Sequence, residues 1–182
     1  MEKYLILIAL LALAIYIVAT YNDLITLRNK VLEAFSSMDV ALKKRWDTIP
    51  NLVEIVKGYT KHERETLESL IRLRNRIYSN LSVREKLDTN SELTEGLGKL
   101  FALSEAYPDL KANPSFLDLS SRLSAIEEDI SQSRRYYNGA VRAYNTRIQH
   151  FPGNLIAGLF HFEPFRMYEV KDYERQNVKV RF

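Results

Sequence analysis

"KKRWDTIPNLVEIVKGYTKHERE", from Lys43 to Glu65, decides how many helices the chain builds. Pro50 stands in its middle, and Asp47, Asn51, Glu54, His62, Glu63 and Glu65 make it unusually polar. It is either the joint between two helices or a chemical site. A proline inside a helix costs about 3 kcal/mol or more, whereas in the first turn it costs little because that N–H has no partner anyway. Lys43, Lys44 and Arg45 suit the last turn of a preceding helix, and Asp47 or Thr48 suits the cap of the next. The stretch reads as a structural joint formed by Asp47, Thr48, Pro50 and Asn51.

Upstream of that joint, Leu24, Leu27, Val31, Ala34, Met38 and Ala41 recur at threes and fours. Leu32, Phe35, Leu42 and Trp46 broaden the stripe, which implies a helix with several neighbours. Further back, "YLILIALLALAIYIVATY", Tyr4 to Tyr21, holds no charge. Its eighteen residues span about 27 Å as a helix, enough for the hydrocarbon core of a bilayer, with a tyrosine at each edge. The run exceeds a signal-peptide core, the segment before it is only Met1-Glu2-Lys3, and the small-x-small pattern Ala12-Leu13-Ala14 lies inside the run and is no clean cleavage site. An uncleaved single-pass anchor over 1–21 is expected, running on into the next helix. Arg28 and Lys30 after the span, against Lys3 offset by Glu2 before it, lean towards a cytoplasmic soluble part.

Downstream, Leu52, Val56, Tyr59, Glu63, Thr66, Leu70, Leu73 and Ile77 predict a second helix. "SNLSVREKLDTNSELTEG", Ser79 to Gly96, reads as a polar connection, and a third helix holds Leu93, Leu97, Leu100, Phe101 and Leu103 before Pro108. The fourth helix has the plainest start, with Asn113 as N-cap and Pro114 at its first position. Phe116, Leu119, Leu123, Ile126, Ile130, Tyr137, Val141, Tyr144 and Ile148 carry its apolar face, and "FPGN" ends it. Asn154 is expected to cap a short helix through Phe160. The predicted architecture is all-α, an N-terminal transmembrane helix continuing into an antiparallel four-helix bundle over 22–160, with 161–182 docking back on it.

The residues also carry a family likeness. "YNDLITLRNKVLEAFSSMDVALKKRWDTIPNLVEIVKGYTKHERETLE", "AYPDLKANPSFLDL", "SRRYYNGAVRAYNTRIQHFPGNLIAGLF" and the closing "VKVRF" occur in this order, and together they resemble the LemA family from Tyr21 to Phe182. The resemblance implies a membrane anchor and a helical bundle, and leaves the biochemical activity open. Some members of that family resemble lipoproteins attached through a cysteine, a mode this cysteine-free chain does not use.

Composition narrows the function classes. With no cysteine there is no thiolate nucleophile and no Cys-type metal site. A net charge of +3, from 26 basic and 23 acidic residues, is too balanced for a nucleic-acid binder. Di-iron bundles need Glu-x-x-His on two helices, but Tyr59 precedes His62 and Arg147 precedes His150 at that spacing. Thr66 breaks H-E-x-x-H after His62. Asp39, Glu54 and Glu63 read as members of polar networks, with Arg28, Arg134, Arg135, Tyr137 or Tyr144 as partners.

The function expected is a non-enzymatic protein-interaction or scaffold module at the membrane, with no cofactor. The partners expected are the bilayer, through residues 4–21, and a further protein or a second copy. Arg134, Arg135 and Tyr136, with Lys43 and Lys44, are the candidate interaction surface, since Tyr and Arg dominate binding hot spots. The alternative is a membrane-tethered enzyme or metal-binding bundle using inward carboxylates and tyrosines.

Overall fold

The structure, a computed structural model, describes residues 1–59, 64–74 and 78–168. Among them every regular element is helical: α1 (Glu2–Lys57), α2 (Arg64–Arg74), a 3-10 turn (Tyr78–Asn80), α3 (Val83–Ser104), α4 (Pro108–Lys111), α5 (Pro114–Gln149) and α6 (Gly153–Leu159). The described residues form two compact units, one from residues 1–37 and 133–167, the other from within 38–132 together with Tyr168.

The joint expected at Pro50 is not there. α1 passes through Pro50 and ends at Lys57, with Gly58 and Tyr59 closing the last turn onto the carbonyls of Ile55 and Val56. Asp47 pairs with Lys43 one turn back, and the Thr48 hydroxyl donates to the Lys44 carbonyl at 2.8 Å, so neither caps a new helix. Magnitudes explain the result. Ile49, Leu52, Val53 and Val56 are buried in the core of the second unit. Each contributes about 1.5–3 kcal/mol, which together exceeds the roughly 3 kcal/mol that the interior proline costs. The second helix consequently begins at Arg64.

α3 is also longer than the sequence spacing suggested, because its start is capped. Ser82 Oγ accepts from the Glu85 N–H, and Glu85 Oε2 accepts from the Ser82 N–H at 2.8 Å. This capping box turns the stretch read as a connection into three helical turns. α3 then packs on α2 so closely that a Cβ on Gly96 would lie 2.7 Å from Leu70. The start expected for α5 is found: Asn113 Oδ1 accepts from the Ser115 and Phe116 N–H groups. Phe116, Leu119, Leu123, Ile130, Tyr137, Val141, Tyr144 and Ile148 are buried as the register requires.

In the first unit, Asp23 on α1 pairs with Arg147 on α5 at 2.7 Å, and Phe35 meets Tyr137 edge-on. α6 starts at Gly153, one residue before Asn154, with Pro152 in the cap position. It ends in a Schellman turn: Phe162 N–H donates to Ala157 O, His161 N–H donates to Gly158 O, and His161 takes φ 56°. That turn sends residues 162–167 back along α5.

α1 changes character along its length. None of residues 2–19 is buried, and an eighteen-residue window of α1 reaches a mean hydropathy of 2.4. From Leu24 onward it buries the stripe Leu24, Val31, Ala34, Met38, Ala41 and Leu42, while Leu32 stays exposed. One helix near the N-terminus is thus long and apolar enough to cross a membrane.

Candidate functional site

Among the described residues, polar clusters built from residues far apart in sequence lie between the helices, and three of them bear on function. The first centres on Arg45, which is 2% exposed. Its Nη1 donates to Asn90 Oδ1 at 2.8 Å and to Thr94 Oγ1 at 2.9 Å, while Nε lies 2.8 Å from Glu127 Oε1. The amide of Asn90 donates in turn to the Tyr168 hydroxyl at 2.5 Å. One guanidinium therefore ties α1, α3 and α5 together within the second unit. An open cleft of about 270 Å³ adjoins it, walled by Leu97, Phe101 and Leu123.

The second cluster holds Asp39. Its carboxylate accepts from the Tyr78 hydroxyl at 2.6 Å and from Lys86 Nζ at 2.7 Å. Lys86 also sits 4.7 Å from the centre of the Tyr78 ring, which packs tilted against Trp46 at 5.4 Å. Burial pushes the Tyr78 phenol far above its ordinary pKa, and the hydrogen bond to Asp39 and the charges of Asp39 and Asp47 add to the shift. The phenol is therefore a fixed donor at any physiological pH, unsuited to act as a base.

The third cluster, in the first unit, grips main chain. Asn145 Nδ2 donates to Phe165 O at 2.8 Å, and Phe165 N–H donates to Asn145 Oδ1 at 3.0 Å. Tyr137 and Tyr144 donate to the carbonyls of Arg166 and Glu163, at 2.8 and 3.1 Å. The Phe165 ring packs edge-on against Tyr144 at 5.2 Å. Burial raises the pKa of both phenols, with Glu163 adding to the rise at Tyr144 and Arg28 opposing it. An extended segment thus lies along α5 with its backbone read by neutral side chains.

These findings revise several sequence expectations. Asp39 pairs with Tyr78 and Lys86, which lie beside it in the second unit, not with Arg28, Arg134, Arg135, Tyr137 or Tyr144, and the last two phenols donate to carbonyls. Lys43, Lys44 and Arg45 are interior to α1, and only the first two are exposed; Lys44 pairs loosely with Asp129 at 3.9 Å. Asn51 and Glu54 are exposed on the same helix. Arg135 and Tyr136 are exposed and Arg134 is half-buried, all on the first unit. His62, Glu63 and the closing "VKVRF" lie outside the described residues, and the docked segment is described only as far as Tyr168. Among the described residues no three His, Asp or Glu side chains converge as a metal would require.

Sequence reasoning missed Arg45 and Asn145. Arg45 carried a signal: it continues the seven-residue register Leu24, Val31, Met38, and Leu52 follows it. A charge on a buried register is a charge with internal partners. Asn145 stands beside the apolar face and carried no such mark.

The sequence profile of the LemA family matches residues 34–182. Over 159 residues the chain is 28% identical to Protein LemA of Metamycoplasma hominis, an alignment covering 86% of this chain and 72% of the relative. Two magnetosome proteins of Paramagnetospirillum magneticum, MamQ 1 and MamQ 2, are each 29% identical over 75 residues, which is 41% of this chain and 28% of theirs.

Proposed function

The chain belongs to the LemA family, and on that premise we propose that it is a single-pass membrane protein whose helical part is a non-enzymatic interaction or scaffold module held at the bilayer. One observation carries this reading. The bare apolar run from Tyr4 to Val18 sits on the same unbroken helix that supplies buried core residues as far as Val56. Such a run is unfavourable in water and fits hydrocarbon, so membrane attachment and helical packing share one continuous helix.

The helical part is an antiparallel four-helix bundle of α1, α2, α3 and α5. Supporting this, Asp23 pairs with Arg147 and Phe35 with Tyr137 in one unit, and Lys44 pairs with Asp129 and Arg45 with Glu127 in the other. The soluble part faces the cytoplasm, a placement supported by Arg28 and Lys30 just beyond the span. A positioning role is supported by the polar clusters: their phenols are neutral donors, and Asp39 is occupied by Tyr78 and Lys86.

The contact surface is the exposed face around Arg135 and Tyr136. A photo-crosslinking residue at position 136, used in native membranes, tests it. One recurrent adduct, either with another protein or with a second copy, that weakens at least fivefold on Arg135→Glu is the expected result. Absence of any adduct, together with metal retained at stoichiometric level by the purified chain, would replace this reading with a metal-protein one.

A further inference from the structure

The helix α6 leaves its apolar side uncovered. Ile156 and Ala157 are buried against the first unit, but Leu155 is 63% exposed and Leu159 67%, one turn apart on the same face. Phe151, 79% exposed, precedes the helix across Pro152, and Phe160, 46% exposed, follows its last residue. From Phe151 to Phe160 there is no charged residue. A surface helix in water would show polar residues on its outer face.

Its position on α1 tells what covers it. Phe160 packs 4.8 Å from Tyr21 and Phe162 packs 5.7 Å from it, ring centroid to ring centroid. Tyr21 is the last residue of the uncharged run. Thr20, still inside that run, is only 2% exposed, whereas none of residues 2–19 is buried. The protein's own packing therefore begins within the last residues of the span, where the hydrocarbon ends. Any element seated at Tyr21 is at the headgroup level of the same leaflet.

Charge agrees. Residues 22–37 and 133–167 hold seven basic and three acidic side chains, while residues 38–132 hold fourteen basic and sixteen acidic. The cationic excess lies in the unit that meets the apolar run, as attraction to an anionic lipid surface requires.

We propose that α6 and the preceding Phe151 form a second membrane contact, with Phe151, Leu155, Leu159 and Phe160 inserted among the lipid headgroups and upper acyl chains beside the point where α1 leaves the bilayer. The contact rests on the reading of residues 4–21 as a span. It turns a single swivelling anchor into a two-point attachment that fixes the rotation of α1 about its axis.

The chain has no cysteine, so single labels are clean. Full-length Leu155→Cys, Leu159→Cys, Leu11→Cys and Tyr136→Cys variants, all at exposed positions, would carry an environment-sensitive fluorophore in phosphatidylcholine–phosphatidylglycerol vesicles. Quenching by lipids spin-labelled near the headgroup should be at least threefold stronger at 155 and 159 than at 136, which lies about 17 Å along α5 from Arg147. Quenching at 11 should be strongest with deep labels. If 155 and 159 are quenched no more than 136 while 11 is quenched, the span stands and the second contact is wrong. If 11 also escapes lipid quenching, span and contact fall together.

Discussion

The two units bury their polar groups in opposite ways. In residues 38–132 each polar cluster is centred on a charged side chain: buried Arg45 with Asn90, Thr94 and Glu127, and part-buried Asp39 with Lys86 and Tyr78. In residues 133–167 the side chains that hold the extended segment are neutral, two tyrosines and an asparagine against main chain. A buried charge is stable only if all its partners are in place, so it specifies one helix arrangement and is costly to disturb. Neutral groups reading a backbone hold a segment with less energy at stake and little regard for its side chains. The difference assigns rigidity to one unit and a graded, local grip to the other.

The largest expected effect tests the charged interior. Arg45→Met should destabilise the second unit by about 2–3 kcal/mol, mainly through the lost donors to buried Asn90 and to Thr94. Glu127 is half-exposed and regains water, so its share is discounted. Trp46, the single tryptophan, packs on Tyr78 and is a built-in reporter. Its fluorescence should show an earlier urea midpoint in the detergent-solubilised chain, and an unchanged midpoint would remove the distinction between the units.

Asn145→Ala should act more locally. Two hydrogen bonds to Phe165 are lost, about 1–2 kcal/mol, and amide exchange at Phe165 should rise by tenfold or more. The Trp46 midpoint should stay where it was. If instead that midpoint falls as far as in Arg45→Met, the grip is not local.

Alkaline pH provides a third test. Tyr78, Tyr137 and Tyr144 all have folded pKa values raised above the unfolded value of about 10. Their contribution is complete below about pH 10 and is lost as pH rises beyond it, because the unfolded chain then releases protons that the folded chain retains. Tyr78 has the strongest set of causes, including the Asp39 carboxylate. Tyr78→Phe should cost about 1 kcal/mol at neutral pH and flatten the alkaline loss reported by Trp46. An alkaline loss as steep as in the parent would contradict that role.

The smallest effect belongs to the turn after α6. His161 occupies a left-handed position that glycine takes more readily. His161→Gly should change stability by no more than about 1 kcal/mol, read from amide exchange at Phe162, with exchange equal or slower. Markedly faster exchange would mean that the imidazole, and not the backbone turn, holds the segment.

What the sequence made legible was local. The apolar run of α1 is a matter of composition, and the start of α5 is written in Asn113 and Pro114. The inward register from Phe116 to Ile148 follows from spacing alone. The passage of α1 through Pro50 was not legible, since it depends on the burial of Ile49, Leu52, Val53 and Val56 against elements elsewhere in the chain. The early start of α3 was legible in Ser82 and Glu85, whose spacing is that of a capping box, though the polar residues around them suggested a loop. The partners of Arg45 on α3 lie 45 and 49 residues away, and no local pattern announces such pairings.

The central claim is that residues 4–21 of α1 lie in the bilayer while the same helix continues outside it. Maleimide labelling of single cysteines in open, undissolved membranes, at Leu11 and at Asn29, measures this directly. Leu11→Cys should remain unlabelled until the membrane is dissolved in detergent, whereas Asn29→Cys should label in open membranes without it. Labelling of Leu11→Cys at the rate of Asn29→Cys in undissolved membranes would contradict the account.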